Sequence, residues 1–458
     1  MAQTDTPNAK SIQEAARAVP VLAETDVLVV GGGPAGLSAA LASAREGVNT
    51  MLVERYGCFG GNITQAMVGS IAWYRHENTV DAGGIGVEFE KRAKEMGASQ
   101  PDPEGMAELL DADMFKFVAD TLVQEAGITP LLHCAAVDVI MQENTIQGII
   151  TESKSGRQAI LAKRVIDATG DADIACRAGA PYHQAPKNEL LAVTVGFGCS
   201  GVDVERFLQY VQENPTRLGD WAQETAGKED ALVGTLLTEP FIKAREAGEI
   251  PADVPLLAVV GFWDGLTEAG EATNMDMAHV FGIDPTDVQD LTEAEIKGRQ
   301  RALWAVNAMI KYTPGFENAK LRTFGSSVGT RESRRIIGDY TITESDVMNE
   351  ARFEDSIGIF PEFLDAFPVA IIPTTGRYFQ VPYRILLPQT VENLLVAGRC
   401  VAADRKAFAA TRQMMCCTVT GQGAGAAAAT SVKHGVNCRA VDIETVQGAL
   451  NKQGVRIS

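Results

Sequence analysis

The chain has 458 residues, and its 40 Lys plus Arg stand against 59 Asp plus Glu, a formal net charge of −19 at pH 7. That length predicts roughly two or three domains with ample apolar content for a large core, and the acidic balance argues against nucleic acid or an anionic membrane as the main partner. Residues 1–20 lack a basic start followed by an apolar core, and no apolar run of 18 residues occurs, so neither a leader nor a span is expected and a cytoplasmic location is.

Residues 27–55, VLVVGGGPAGLSAALASAREGVNTMLVER, read as a buried strand, a glycine turn, an alanine-rich helix closed by Gly47, and a second strand tipped by Glu54. GGGPAG fits the dinucleotide pattern GxGxxG. Gly31 makes the tight turn, Gly33 lets a pyrophosphate approach the backbone, and Gly36 lets the helix pack closely on the strand. The helix N-terminus then faces the phosphates, and the Glu54 carboxylate stands where an adenosine ribose would donate to it.

KRAKEM and DADMFKFVADTLVQEAG carry helical periodicity, and AAVDVIMQENTIQGIITES alternates like a β-hairpin. AKRVIDATGDADIACRAGA is a further strand, ending at Ala168, Thr169 and Gly170, where open α/β sheets hold ligands. From about 185 to 370 the texture changes to apolar strands, LLAVTVGFG, PLLAVVGFW and FPVAIIP, mixed with amphipathic helices. The clearest helix is expected to start at a Thr292–Glu295 capping box, to bury Ile296, Leu303, Val306 and Ile310, and to stop at Pro314-Gly315. Then VENLLVAGRCVAAD supplies another buried strand, and TVTGQGAGAAAATSV a helix expected to open near Gly421 to Gly425 with its free N–H groups toward a ligand. The expected division is a segment 1–20, a dinucleotide domain in two parts, 21–184 (with a helical excursion at 72–125) and 376–440, an inserted substrate domain 185–375, and a tail 441–458.

Gly60-Gly61 lies six residues past Glu54. A bare glycine pair lets the backbone run beside an extended ribityl and pyrophosphate chain, which favours FAD over a nicotinamide nucleotide. With this pair, the blocks GGGPAGLSAA, VERYGCFGGNIT, IDATGDADIA, GTRESRRIIGDYTITESDV, VPYRILLPQTVENLLVAGRCVAAD and RQMMCCTVTGQGAGAAAA resemble the FAD-dependent oxidoreductase family related to fumarate reductase and glutathione reductase flavoproteins. The resemblance implies an α/β fold: a Rossmann-like FAD-binding domain of glutathione reductase type, split by an inserted α+β domain that caps the flavin. Carried over by position, Gly31, Gly33, Pro34, Ala35, Gly36, Glu54 and Arg55 would hold the ADP half, and Gly60, Gly61, Asn62 and Thr64 would lie along the flavin. Val137 would touch adenine, Thr169, Gly170 and Asp171 would form a second contact block, and Gly398, Arg399, Gln422 and Gly423 the closing one. The chain lacks a second GxGxxG-strand unit, a CxxxxC after the glycine pair and clustered cysteines, which argues against direct NAD(P)H use, disulfide exchange and iron–sulfur relay.

A flavin exchanges hydride at N5, so a nearby group must manage a proton. Of five histidines, at 76, 133, 183, 279 and 434, His279 in the loop-rich stretch NMDMAHVFGIDPTD is the first candidate for that base, and His76 with Tyr74 in IAWYRHEN the second. Arg331, Arg334 and Arg335 in GTRESRR, and Arg412 before the closing helix, suit a bidentate carboxylate clamp, with structural ion pairing as the bland alternative. Cys58 and the Cys416-Cys417 pair read as small core residues. The expected activity is oxidation of a small organic molecule at a C–H beside a hydroxyl or amine, or reduction of an activated C=C. The rival readings are a flavin monooxygenase or halogenase, and an FAD-binding electron-transfer subunit. The expected partner is a small-molecule substrate, neither nucleic acid nor membrane, with homo-oligomerisation left open.

Overall fold

The computed structural model describes residues 11–71, 82–101, 108–214, 236–361, 364–365, 370–371 and 377–458. Strand β1 (Val21–Val30) ends in four residues, Val27 to Val30, that are buried on both faces, as an uninterrupted apolar run requires in the middle of a parallel sheet. Helix α1 (Pro34–Arg45) leads to β2 (Thr50–Val53), which pairs parallel with β1, Val27 opposite Thr50. Helices α2 (Ile85–Glu95) and α3 (Met114–Glu125) precede β3 (Thr129–Leu131), which extends the sheet beyond β2. A hairpin of β4 (Ala135–Gln142) and β5 (Thr145–Ser153) feeds β6 (Gly156–Asp167). β6 lies parallel to β1 on one side and carries the hairpin on the other, and β7 (Leu394–Val396) returns late in the chain to pair parallel with its last residues, Leu394 opposite Val165. The seven-stranded sheet runs β3-β2-β1-β6-β5-β4 with β7 against β6, so the fold is mixed α/β with a parallel-strand sheet, as expected.

Between β6 and β7 the chain builds a second sheet with a core of its own. Five antiparallel strands, in the order Leu236–Leu237, Gly261–Leu266, Glu271–Asp276, Phe197–Ser200, Lys320–Phe324, form this sheet. Its core centres on Phe207, whose ring meets Trp263 and Phe316 edge-on with centroids 4.7 and 4.9 Å apart. PLLAVVGFW opens as a 3₁₀ turn, Leu256–Ala258, and becomes strand only at Gly261. Of FPVAIIP, residues 370–371 alone are described, as a strand.

The long helix of this body, α4 (Val288–Tyr312), corrects the sequence expectation. It starts at Asp287, whose carboxylate accepts from the Gln289 and Asp290 N–H groups, so Thr292 lies inside it. Ile296 and Leu303 are 61% and 46% exposed. The buried face is instead built of small residues, Ala294, Gly298, Ala302 and Ala305, with Val306 and Met309. A Cβ on Gly298 would lie 3.1 Å from Val195 Cβ and closer still to one of its methyl groups: the helix approaches the sheet too closely for large side chains on that face.

The same packing logic moves the start of the closing helix. α5 (Met414–His434) begins seven residues before Gly421, with Gln413 at its N-cap. Its glycines are interior contacts. A Cβ on Gly421 would stand 2.8 Å from the Ala35 carbonyl carbon, and one on Gly425 2.9 Å from Ala42 Cβ, so α5 and the alanine-rich α1 cross at nearly backbone distance. Among the described residues no helix is long and apolar enough to cross a membrane, and no group of three or more His, Cys, Asp or Glu is placed to hold a metal ion.

Candidate functional site

A cavity of about 1320 Å³ opens at the C-terminal ends of β1, β2, β6 and β7 and runs beneath the inserted sheet. Its floor is the glycine turn. Gly31 has φ +102°, and a Cβ there would lie 2.7 Å from the Ala168 carbonyl carbon and 2.9 Å from the Thr169 nitrogen, so no other residue makes this turn without displacing the next strand. Gly33 is the N-cap of α1, no side chain caps the helix, and Gly33, Pro34 and Ala35 line the cavity. The uncapped helix end therefore offers its backbone dipole to an anion. Gly36 does not line the cavity; it lies behind the turn, where a Cβ would fall 2.8 Å from the Gly31 carbonyl carbon and nearer to its oxygen.

Glu54 is buried, and its carboxylate accepts from the Gly32 N–H at 2.6 Å and the Tyr56 N–H at 2.9 Å while lining the cavity. The loop and the second strand tip are thus locked together around the acid. Gly61 comes within contact of Gly33: a Cβ on it would stand 2.7 Å from Gly33 Cα. Thr64 supports this from behind, donating to the Phe59 carbonyl at 2.8 Å and packing against Gly60. Gly61, Asn62, Arg55 and Val137 line the cavity, and so do Thr169, Gly170 and Asp171, with Arg399 donating to Asp171 at 3.1 Å from beside Gly398. Asp167, fully buried at the end of β6, holds this last loop by accepting from the Thr169, Ile174 and Ala175 N–H groups and the Thr169 hydroxyl.

Of the residues expected to contact the cofactor, Gly36, Gly60, Thr64, Gln422 and Gly423 do not line the cavity. Gln422 and Gly423 face away from the cavity because α5 starts earlier than expected: Gln422 Oε1 accepts from the Ile85 N–H, its Nε2 donates to Gln453, and Gly423 packs on Ile357. The end of α5 that reaches the cavity is Gln413, Met414 and Cys417. Tyr74 and His76 lie outside the described residues.

Across the cavity, the inserted body presents a polar cluster. The stretch NMDM, expected to be loop, is strand, so Asn274 and Asp276 fall on one face while the intervening Met275 is fully buried. Arg331 donates to Asp276 at 2.9 Å, and His279 Nδ1 lies 3.6 Å from the other carboxylate oxygen and 3.2 Å from the Thr194 hydroxyl. Thr194 is brought there by antiparallel pairing with His279, and all five residues line the cavity. His279 and Arg331, chosen from sequence, thus meet; Thr194, Asn274 and Asp276 were missed, although the period of two in NMDM was a readable signal. Arg412 also lines the cavity, on the side of α5, whereas Arg334 and Arg335 are committed to Asp173 and Glu332.

Burial drives the His279 pKa down from 6.5 to about 4; Asp276 and a hydrogen bond to the Val260 main chain oppose this, and Arg331 and Arg301 add to it. The ring is neutral at pH 7. Nδ1 and the Thr194 hydroxyl share a hydrogen bond whose direction follows the ring tautomer. Because the unfolded chain binds the proton first, this group contributes stability above pH 6.5 that is lost as pH falls toward 4, about 3 kcal/mol in all. Denaturant titrations of wild type and His279→Gln should show the wild type losing stability relative to the variant across that window; parallel curves would refute it. The Cys417 thiol is pushed up to about 12 by burial and Cys416 well above its ordinary value, so neither is a nucleophile, and Cys58 Sγ accepts from Gln65 Nε2 at 2.8 Å.

Residues 26–450 match the model of the FAD dependent oxidoreductase family. Thiamine thiazole synthase of Methanococcus vannielii is 34% identical over 166 residues, which cover 32% of this chain and 57% of that protein, and its Sulfolobus acidocaldarius counterpart is 32% identical over 163 residues, 33% and 57%; these matches span just over half the length of the relatives. Among solved structures, a geranylgeranyl bacteriochlorophyll reductase-like protein of Thermoplasma acidophilum aligns over 94% of this chain and 82% of its own, at 14% identity and a TM-score of 0.46. With the family model covering nearly the whole chain, from β1 to the C-terminal helix, this protein belongs to the FAD dependent oxidoreductase family.

Proposed function

We propose that this FAD-dependent enzyme moves hydride between a small organic substrate and the flavin, with the substrate held by the inserted body. The observation that carries the reading is that one cavity is walled on one side by the glycine turn and on the other by the Thr194, Asn274, Asp276, His279 and Arg331 cluster. Its volume, about 1320 Å³, exceeds the ~300–1,000 Å³ of ordinary ligand pockets, which gives room for a dinucleotide and a second molecule.

The residues present fit FAD. Gly33 and the uncapped end of α1 would hold the pyrophosphate, Glu54 the adenosine ribose, and Gly61, Asn62 and Arg399 the chain leading to the ring. Bound there, FAD supplies a ring that takes up or gives two electrons as hydride. The protein's share is position and proton. Arg331 and Asn274 hold the substrate's oxygen or nitrogen, and Thr194 Oγ1, hydrogen-bonded to His279 Nδ1, is the stop at which a proton leaves or joins that atom.

Purified protein should carry a flavin visible spectrum. In an anaerobic panel of alcohols, amines and unsaturated acids, one class should bleach the oxidised enzyme or reoxidise the reduced one. Failure to hold flavin after gentle purification and added FAD, or indifference to the whole panel, would reject the reading.

A further inference from the structure

Beyond the polar cluster the cavity wall turns apolar. Leu256, Leu257, Val260, Phe262, Phe281 and Leu291 line it together. They adjoin the cluster closely: Phe262 is the strand partner of Asp276, and Phe281 directly follows the two-residue strand His279–Val280. Leu257 is 46% and Phe281 39% exposed, and both line the cavity.

The cluster itself is short of partners. Asn274 is only 8% exposed and lines the cavity, and Asp276 Oδ1 is buried with no hydrogen-bond partner among the described residues. Arg331 gives Nη2 to Asp276 and lines the cavity. The Arg331 side chain, 27% exposed at the cavity wall, and the Asn274 amide beside it offer donors to an acceptor from outside the chain.

We infer that the substrate is amphipathic: an acceptor head, a carboxylate or ketone, bound by Arg331 and Asn274, and a hydrocarbon body of several carbons laid along Leu257 and Phe281. This rests on the proposed function in treating the molecule bound there as the one oxidised or reduced, and it adds its chemical class.

The test is calorimetric titration of the FAD-loaded enzyme with straight-chain carboxylates from acetate to decanoate, and with the matching alkylammonium series. Carboxylates should bind about fourfold tighter for each added methylene until the wall is filled, and alkylammonium ions of equal length at least tenfold more weakly. Leu257→Ser and Phe281→Ser should bring the gain per methylene toward one, with circular dichroism and flavin spectrum retained; both positions are exposed enough for serine to leave the core packed. Affinity independent of chain length, a slope unchanged in both variants, no binding by any carboxylate, or ammonium binding as tightly would each overturn it. Because heat reports binding and not turnover, a chain-length slope without flavin bleaching rejects the proposed function and keeps the site, and bleaching without the slope does the reverse.

Discussion

Gly36→Ala should cost the protein about 3 kcal/mol or more and most of its flavin. An added Cβ lies 2.8 Å from the Gly31 carbonyl carbon, nearer to its oxygen, and 3.3 Å from Ala168 Cβ. Overpacking usually costs about 1–3 kcal/mol because side chains rotate aside, but here the obstacle is a main-chain carbonyl in a turn that has no slack, since Gly31 is itself wedged against Ala168. Helix α1 must therefore back away from β1, and the helix end that faces the cavity moves with it. The same single-methyl change at Gly448, inside the helix Ile443–Lys452 with nothing within 4 Å of the new Cβ, should stabilise by about 0.5–1 kcal/mol through helix propensity alone. Urea titration and flavin content per chain measure both; a Gly36→Ala protein with wild-type stability and full flavin would refute the packing account.

What was legible in the sequence follows from how local each cause is. The unit from β1 to Glu54 is fixed by neighbours in sequence: an apolar strand, glycines that only one turn explains, an alanine-rich helix. Glycine misled where its cause is distant. Gly421 and Gly425 read as a helix opening, yet they are mid-helix because α1, nearly four hundred residues earlier, must come close. Ile296 and Leu303 were read as core by the same short-range logic, whereas the buried face of α4 is mostly alanine and glycine, with Val306 and Met309 toward its end. The cluster was half legible. His279 and Arg331 stand out by type, but the pairing of Thr194 with His279 and of Asp276 with Arg331 depends on strand registers and a loop approach that no local pattern encodes.

Asp276→Ala should lower kcat/KM about 100-fold or more with flavin content unchanged. Asp276 is the shared neighbour of the site: it accepts from Arg331 Nη2 at 2.9 Å and stands 3.6 Å from His279 Nδ1. Without it, Arg331 loses its only protein acceptor among the described residues and is free to swing, and a displacement of ~1 Å at a group that orients substrate is enough for ~10²-fold. The loss also has an electrostatic sign. Asp276 is the charge that raises the His279 pKa against burial and the arginines, so its removal drives the ring further below about 4 and makes it a still weaker proton acceptor for Thr194. Asp276→Asn separates the two effects. The amide retains an oxygen for Arg331 but not the charge, so KM should stay near wild type while kcat falls, whereas Asp276→Ala should change both. The cluster would be structural only if both variants kept wild-type kcat and KM at full flavin occupancy, and an intact kcat in Asp276→Asn alone would remove the electrostatic half of the account while leaving the positioning of Arg331.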